Sequence, residues 1–246
     1  MDITTTLQEV ILVAHLQPAL PLTVLDAADW VREFSEFGEA RQLQWLPPID
    51  LAQAAPFSIA FNPAQEIPRI LLRSIDGKRH VQLQSDRFAF GWTRSLPVGQ
   101  TESYPGYEGL KSERVQYDLK FRAWCVKRFG ISPHTRLAEL TYNNAAPIVE
   151  GGQRRRIGDI FRWVQPIRTV NAFQVSWVDL LEKGRLEGSR VSGLVALGSA
   201  PPVSEALLFN FTGLFPLEKT DDAATFTAWD VLHERITAMY DTTIVK

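Results

Sequence analysis

The chain is expected to fold as an α+β protein: two similar antiparallel-sheet units, each backed by a long helix. Three observations predict this. Several segments alternate apolar and polar residues with the period of two that a sheet covered on one side requires. Two stretches, 107–129 and a second starting at Asp221 or Asp222, carry apolar residues at helical spacing. Strand, short helix or irregular passage, antiparallel strands and closing helix also come in the same order twice, with a repeat of roughly 115 to 130 residues. This divides the chain into an N-terminal half, 1–130, and a C-terminal half, 131–246, packed as one continuous body.

Gln8 to Leu16 (QEVILVAHL) is apolar and β-branched, which suits a strand buried on both faces, and Pro18 and Pro21 stop it. Asp26 is placed to cap a short helix from Ala27 to about Phe37, with Trp30, Val31, Phe34 and Phe37 on one face and Gly38 at its end. The five prolines of Leu46 to Pro68 argue against regular structure there. Arg69 to Ile75 and Arg79 to Trp92 read as a hairpin through Asp76-Gly77, a pair suited to a type I′ turn. Val81 and Leu83 share one face and Gln82 and Gln84 the other; Phe88, Phe90 and Trp92 then continue in the opposite phase. A bulge near Ser85 to Arg87 is the expected cause. Leu110, Tyr117, Phe121, Trp124, Cys125 and Phe129 mark the strongest helix, closed by Gly130.

In the second half, Arg136 to Ile148 is strand-like and Gly151 to Arg168 irregular. Asn171 to Leu181, Gly188 to Leu197 and Ser204 to Leu214 read as strands, the last with Leu207, Phe209 and Phe211 on one face. Phe226, Trp229, Leu232, His233, Ile236 and Tyr240 form the stripe of the final helix. Trp92, Trp124, Trp177 and Trp229 fit core positions, whereas Trp30, Trp45 and Trp163 lie near irregular segments and are candidates for exposure, where tryptophan anchors interfaces.

Composition narrows the function classes. The net charge is −2, with 14 basic against 15 acidic residues up to Gly130 and 12 against 13 after it, so neither half attracts nucleic acid or membrane by bulk charge. The single cysteine, Cys125, excludes an intrachain disulfide and a cysteine-based zinc site, and its apolar helical setting reads as a buried thiol. Residues 1–25 lack a basic n-region, and no window approaches the roughly 18 apolar residues of a membrane span, so a cytoplasmic protein without membrane contact is expected.

Motifs that carry chemistry fall short. His233-Glu234-Arg235-Ile236-Thr237 begins like HExxH, but Thr237 stands where the second imidazole must be, so His233 reads as a partly buried histidine. Gly193 to Ser199 has P-loop glycine spacing without the lysine and reads as a strand. No G-x-S-x-G elbow is present. No cofactor and no metal are expected. The sequon Asn210-Phe211-Thr212 sits in a strand. Arg154, Arg155, Arg156, Arg162 and Arg168, with Phe161 and Trp163 between them, form the only basic concentration; it suits either an acidic partner protein or single-stranded nucleic acid. Gln82, Gln84, Asp86 and Arg87 are the other polar candidates for binding, with Asp86-Arg87 read as a local ion pair.

The segment VQLQSDRFAFGW (Val81 to Trp92), then Tyr104 to Tyr107, Leu140 to Asn143 and the closing helix with His233 and Ile236, resembles a sporadically distributed bacterial family of conserved hypothetical proteins of about 250 residues. The family's activity is not established. Its patchy distribution implies horizontal transfer and a role beside mobile elements, toxin systems or defence genes. The duplicated order itself is similar to TATA-binding-protein or helix-grip topologies. The leading expectation is a non-enzymatic protein-binding module: antitoxin, chaperone-like or defence-associated. It allows homo-oligomers. The alternatives are nucleic-acid binding through Arg154 to Arg168 and an enzyme whose site assembles only in the fold, with His80, Asp86 and His134 as candidates.

Overall fold

The computed structural model describes residues 6–49, 68–97, 100–150, 153–154, 158, 160–161, 174–180, 189–200, 203–218 and 222–244, with backbone alone at Glu150, Arg154, 174–180, 197–200 and 203–205. It is an α+β protein. The strands are β1 (Leu7–Gln17), β2 (Phe37–Leu43), β3 (Arg69–Ser74), β4 (Arg79–Gln84), β5 (Arg87–Thr93), β6 (His134–Pro147), β7 (Val149–Glu150), β8 (Gln153–Arg154), β9 (Gln174–Leu180), β10 (Arg190–Ala200) and β11 (Val203–Pro216). The helices are α1 (Val24–Glu33), α2 (Gly106–Phe129) and α3 (Asp222–Thr243). Nine strands form one antiparallel sheet in the order β2-β3-β4-β5-β1-β6-β11-β10-β9, and β7 and β8 pair separately. β1 pairs with β5 on one side and with β6 on the other, so the sheet runs without a break across residue 130.

Apolar alternation places one face of this sheet under the helices. Val10, Leu12, Ala14, Val81, Leu83, Phe88, Phe90, Trp92, Leu140, Phe209 and Phe211 are buried in one cluster with Phe121 and Trp124 of α2 and Trp229, Leu232 and Ile236 of α3. Phe88 stacks on Phe121 with ring centroids 4.2 Å apart, and Phe211 meets Tyr240 at 5.9 Å. α2 ends on Gly130 at φ 69°, a left-handed cap that glycine enters without a Cβ penalty.

Three expectations are corrected. The phase change after Gln84 comes from a chain reversal: β4 and β5 are separate strands, paired Gln84↔Arg87 across a two-residue turn at Ser85-Asp86. Pairing Val81 with Phe90 and Leu83 with Phe88 keeps all four on the helix side, which is the odd-even switch seen in the sequence. The first helix starts and ends earlier in the chain than expected, at Val24–Glu33, and its N-cap is Thr23, with Asp26 at the third position of a capping box. Phe37 and Gly38 open β2, an edge strand whose charged residues Glu39 and Arg41 hide its alternation. Trp30, expected as a candidate for exposure, is fully buried and lies 5.2 Å from Phe34. Trp45 is half-buried, whereas Trp163 and the side chain of Trp177 lie outside the described residues.

The Thr23 cap makes a direct prediction. The Asp26 amide donates to Thr23 Oγ1 at 3.3 Å, and the Thr23 amide donates to Asp26 Oδ2 at 2.7 Å. Thr23→Ala removes the first of these, and chemical denaturation should show a loss of about 1 kcal/mol.

Candidate functional site

The side chains facing away from the helices are not what a structural sheet needs. Strand alternation and register place Arg69 and Arg73 (β3), His80, Gln82 and Gln84 (β4), Arg87 (β5), Glu9 and His15 (β1) and Glu139, Thr141 and Asn143 (β6) on this one face. His15, His80, Gln82, Gln84, Arg87 and Thr141 are buried; Arg69, Arg73, Glu9, Glu139 and Asn143 are half-buried. Burying polar groups is costly unless they pair, so their bonds define what each one does.

Toward the β4–β5 turn, the polar groups saturate one another. Arg87 donates through Nε and Nη2 to the two oxygens of Asp86, both at 3.0 Å, and through Nη2 to the Pro47 carbonyl at 2.7 Å. Gln84 accepts from the Leu46 amide at 2.9 Å and donates to the Leu46 carbonyl at 2.7 Å and to Asp86 at 2.8 Å. Although burial pushes the Asp86 carboxyl up, the bonds and charge of Arg87 hold it below the usual carboxylate range. The ion pair read from Asp86-Arg87 is present, and with Gln84 it clamps the chain that follows β2 onto the sheet. Gln82 points elsewhere: its Oε1 accepts from Arg69 Nη1 at 3.0 Å.

Two histidine–carboxylate pairs stand across the middle strands. His15 Nε2 lies 2.7 Å from Glu139 Oε2. Burial raises the Glu139 carboxyl, but the His15 bond and charge, with help from Arg87 and Thr141, hold it below its ordinary value. His80 Nε2 lies 3.7 Å from Glu9 Oε1, and His80 Nδ1 is 3.1 Å from Thr93 Oγ1. Glu9 also accepts from Asn143 Nδ2 at 2.8 Å. Burial raises the Glu9 carboxyl above the usual range, against the pull of Asn143, Arg73 and Arg69. His80 is only 1% exposed; burial, then the charges of Arg73 and Arg69, bring it from 6.5 to about 3, so it is neutral at pH 7.

That shift has a pH consequence. The unfolded chain takes up a proton on residue 80 as pH falls below about 6.5, while the folded chain does so only near 3. His80 therefore withdraws stability through that window, at a slope of about 1.4 kcal/mol per pH unit. Urea unfolding at a series of pH values should show a shallower acid slope in His80→Gln, and equal slopes would refute the assignment.

Sequence reasoning named His80 but missed its neighbours Glu9, His15 and Glu139, which no motif spacing joins. The one available signal was Gly91 inside an aromatic strand, the mark of a close approach. A Cβ there would lie 2.5 Å from His80 Cε1. His134 sits at the start of β6 opposite Gln17, with no described contact to His80 or Asp86. Arg155, Arg156, Arg162, Trp163 and Arg168 lie outside the described residues, as does the side chain of Arg154, whose backbone belongs to β8. The P-loop-like glycines Gly193 and Gly198 stand within β10, and the Asn210 sequon within β11.

On the helix side, His233 is half-buried as expected. It stacks on Tyr107 at 4.1 Å and shares a 2.9 Å hydrogen bond with the Tyr142 hydroxyl. Tyr107 and Lys111 both donate to Asp230, at 2.8 and 2.6 Å, which ties α2 to α3. Cys125 is fully buried, and burial pushes its thiol up to about 12, which makes it a poor nucleophile. Among the described residues, no group of three or more His, Cys, Asp or Glu side chains is placed to hold a metal ion, and no helix is long and apolar enough to cross a membrane. Neither a family model nor a curated protein matches the chain.

Proposed function

We propose that the protein is a non-enzymatic binding module of the cytoplasm that receives an acidic segment of a partner protein on the sheet face opposite the helices. The observation that carries this reading is a polar face at the centre of the sheet whose two half-buried arginines, Arg69 and Arg73, have no carboxylate within ion-pair distance among the described residues. Arginine at such a surface matches carboxylates by its planar donor fork. The pairing of β1 with β5 and β6 with β11, joined through β1 and β6, supports the finer reading of two similar units in a saddle of the TATA-binding-protein or helix-grip kind. The resemblance to the sporadic bacterial family adds a role beside toxin or defence genes.

A second reading, an enzyme with a fold-assembled site, has its own support in the Glu9, Thr93 and His80 grouping. Nucleic-acid binding through Arg154 to Arg168 keeps only its sequence motif. The deciding experiment uses Asn210→Trp, a bulky change at a half-buried position on the same face of β11. Wild type should retain a partner with an acidic segment from host lysate, and the folded variant should lose it. Equal retention by both, or turnover in a hydrolase screen, overturns the proposal.

A further inference from the structure

On this face, three neighbouring residues of β3 and β4 carry buried side-chain nitrogens with no hydrogen-bond partner among the described residues. Arg69, Leu71 and Arg73 alternate along β3, and Arg73 lies directly opposite His80 on β4, with Leu71 opposite Gln82. Arg69 spends Nη1 on Gln82, while its buried Nε has no hydrogen-bond partner among the described residues; the buried Nε of Arg73 has none among them either. His80 is held at Nδ1 by Thr93 and rests against the backbone of Gly91, and its buried Nε2 has no hydrogen-bond partner among the described residues, the Glu9 carboxyl standing off at 3.7 Å. When the Thr93 hydroxyl donates to Nδ1, Nε2 carries the hydrogen and becomes a third donor.

The charges on the face leave these donors uncompensated. Asp86 is consumed by Arg87, and Glu139 pairs with His15. Among the described residues, that leaves Arg69 and Arg73 with the carboxyl of Glu9, which is bonded to Asn143, and for Arg69 the more distant charge of Glu139, which His15 already engages. Burial raises the Glu9 carboxyl in spite of both arginines, as expected of a group they do not clamp. A guanidinium edge with free Nε–H donors matches the oxygens of a carboxylate or phosphate, and a neutral histidine N–H completes a three-donor cradle without adding charge.

Resting on the binding reading above and going beyond it, we propose that Arg69, Arg73 and His80 form an oxyanion subsite that takes one carboxylate or phosphate group of the ligand. Both arginines are half-buried, so part of each side chain is open to solvent, whereas the three unpartnered nitrogens are themselves buried and meet an anion only where the face opens locally.

The test titrates the full chain at low ionic strength with inorganic phosphate and, separately, with succinate, by calorimetry and by NMR of the histidine side chains. Saturable binding of at least one anion is expected, with a shift of the His80 Nε2 resonance. Arg73→Lys keeps the charge but loses the fork and should weaken binding by about tenfold. Arg69→Gln/Arg73→Gln should abolish it; if that variant does not fold, Arg73→Lys and the His80 resonance decide. Binding of phosphate alone assigns the subsite to a phosphorylated group, and binding of succinate alone to an acidic side chain. No saturable binding of either anion overturns the subsite, as does binding that Arg73→Lys leaves unchanged. Anion binding without any effect of Asn210→Trp on partner capture sinks the partner reading alone; the reverse result sinks the subsite alone.

Discussion

Asp118→Ala should destabilise the protein by about 3 to 5 kcal/mol, the cost of leaving a buried charge without its partner. Arg114 projects from α2 into the helix–sheet layer and is fully buried. Its Nη2 donates to Asp118 at 2.7 Å and to the Phe88 carbonyl at 3.4 Å, and its Nη1 to the Leu12 carbonyl at 3.2 Å. The guanidinium also sits 4.4 Å from the Phe88 ring centroid and 5.2 Å from that of Trp229. Carbonyls and ring faces soften the loss of Asp118 but supply no full negative charge. Burial already lowers the proton affinity of Arg114, and Asp118 is the first group that restores it. Arg114→Met should cost less, because it removes the fully buried charge and leaves Asp118, which is also buried but less completely, with an 11% exposed side chain. Against a typical total stability of about 5 to 15 kcal/mol, the Asp118→Ala loss shows plainly as a lower urea midpoint at unchanged slope. A loss below about 1 kcal/mol would mean that the carbonyls and rings suffice.

Gly91→Ala should cost about 1 to 3 kcal/mol and also abolish anion binding. The added Cβ would stand 2.6 Å from the Val10 carbonyl oxygen of the neighbouring strand and 2.5 and 2.6 Å from Cε1 and Nε2 of His80. A side chain can swing aside, but the β1 backbone is held in register on both edges by β5 and β6. The imidazole must therefore leave its place against residue 91 and release Thr93. Thermal unfolding measures the first effect and phosphate titration the second. A variant with wild-type stability and wild-type titration would show that His80 is not seated on Gly91.

The fold was legible in the sequence where local chemistry is strong. Asp76-Gly77 marked a hairpin, though not the type I′ turn expected, since only Gly77 has a positive φ, at 72°, and the spacing of Leu110, Phe121, Trp124 and Cys125 marked α2 and its buried face. Leu207, Phe209 and Phe211 marked the buried face of β11. The reading failed where the local signal was ambiguous. A phase switch across Ser85-Asp86 fits a bulge or a two-residue turn, and only the pairing of β4 with β5 separates them. β2 escaped because an edge strand carries charges that blur alternation.

The candidate site was legible only in fragments. Gln82, Gln84, Asp86 and Arg87 stood out as polar residues in an apolar hairpin, yet Gln84 and Arg87 hold Leu46 and Pro47, and Asp86 holds those two side chains in place. His80 was named for its chemistry alone. Its partner Glu9 and the second pair, His15 with Glu139, come from strands whose adjacency no local signal encodes.

By itself the sequence determined the α+β class, the long helices α2 and α3, the hairpin at Asp76-Gly77 and the absence of an intrachain disulfide, because backbone preference and side-chain period act over a few residues. Tertiary structure alone decided that β1 lies between β5 and β6, and therefore that a carboxyl from residue 9 faces the imidazole of residue 80 and His15 meets Glu139 across 124 positions of chain. Strand register is a long-range choice, set by which apolar faces bury together, and the polar face is whatever that choice leaves on the other side.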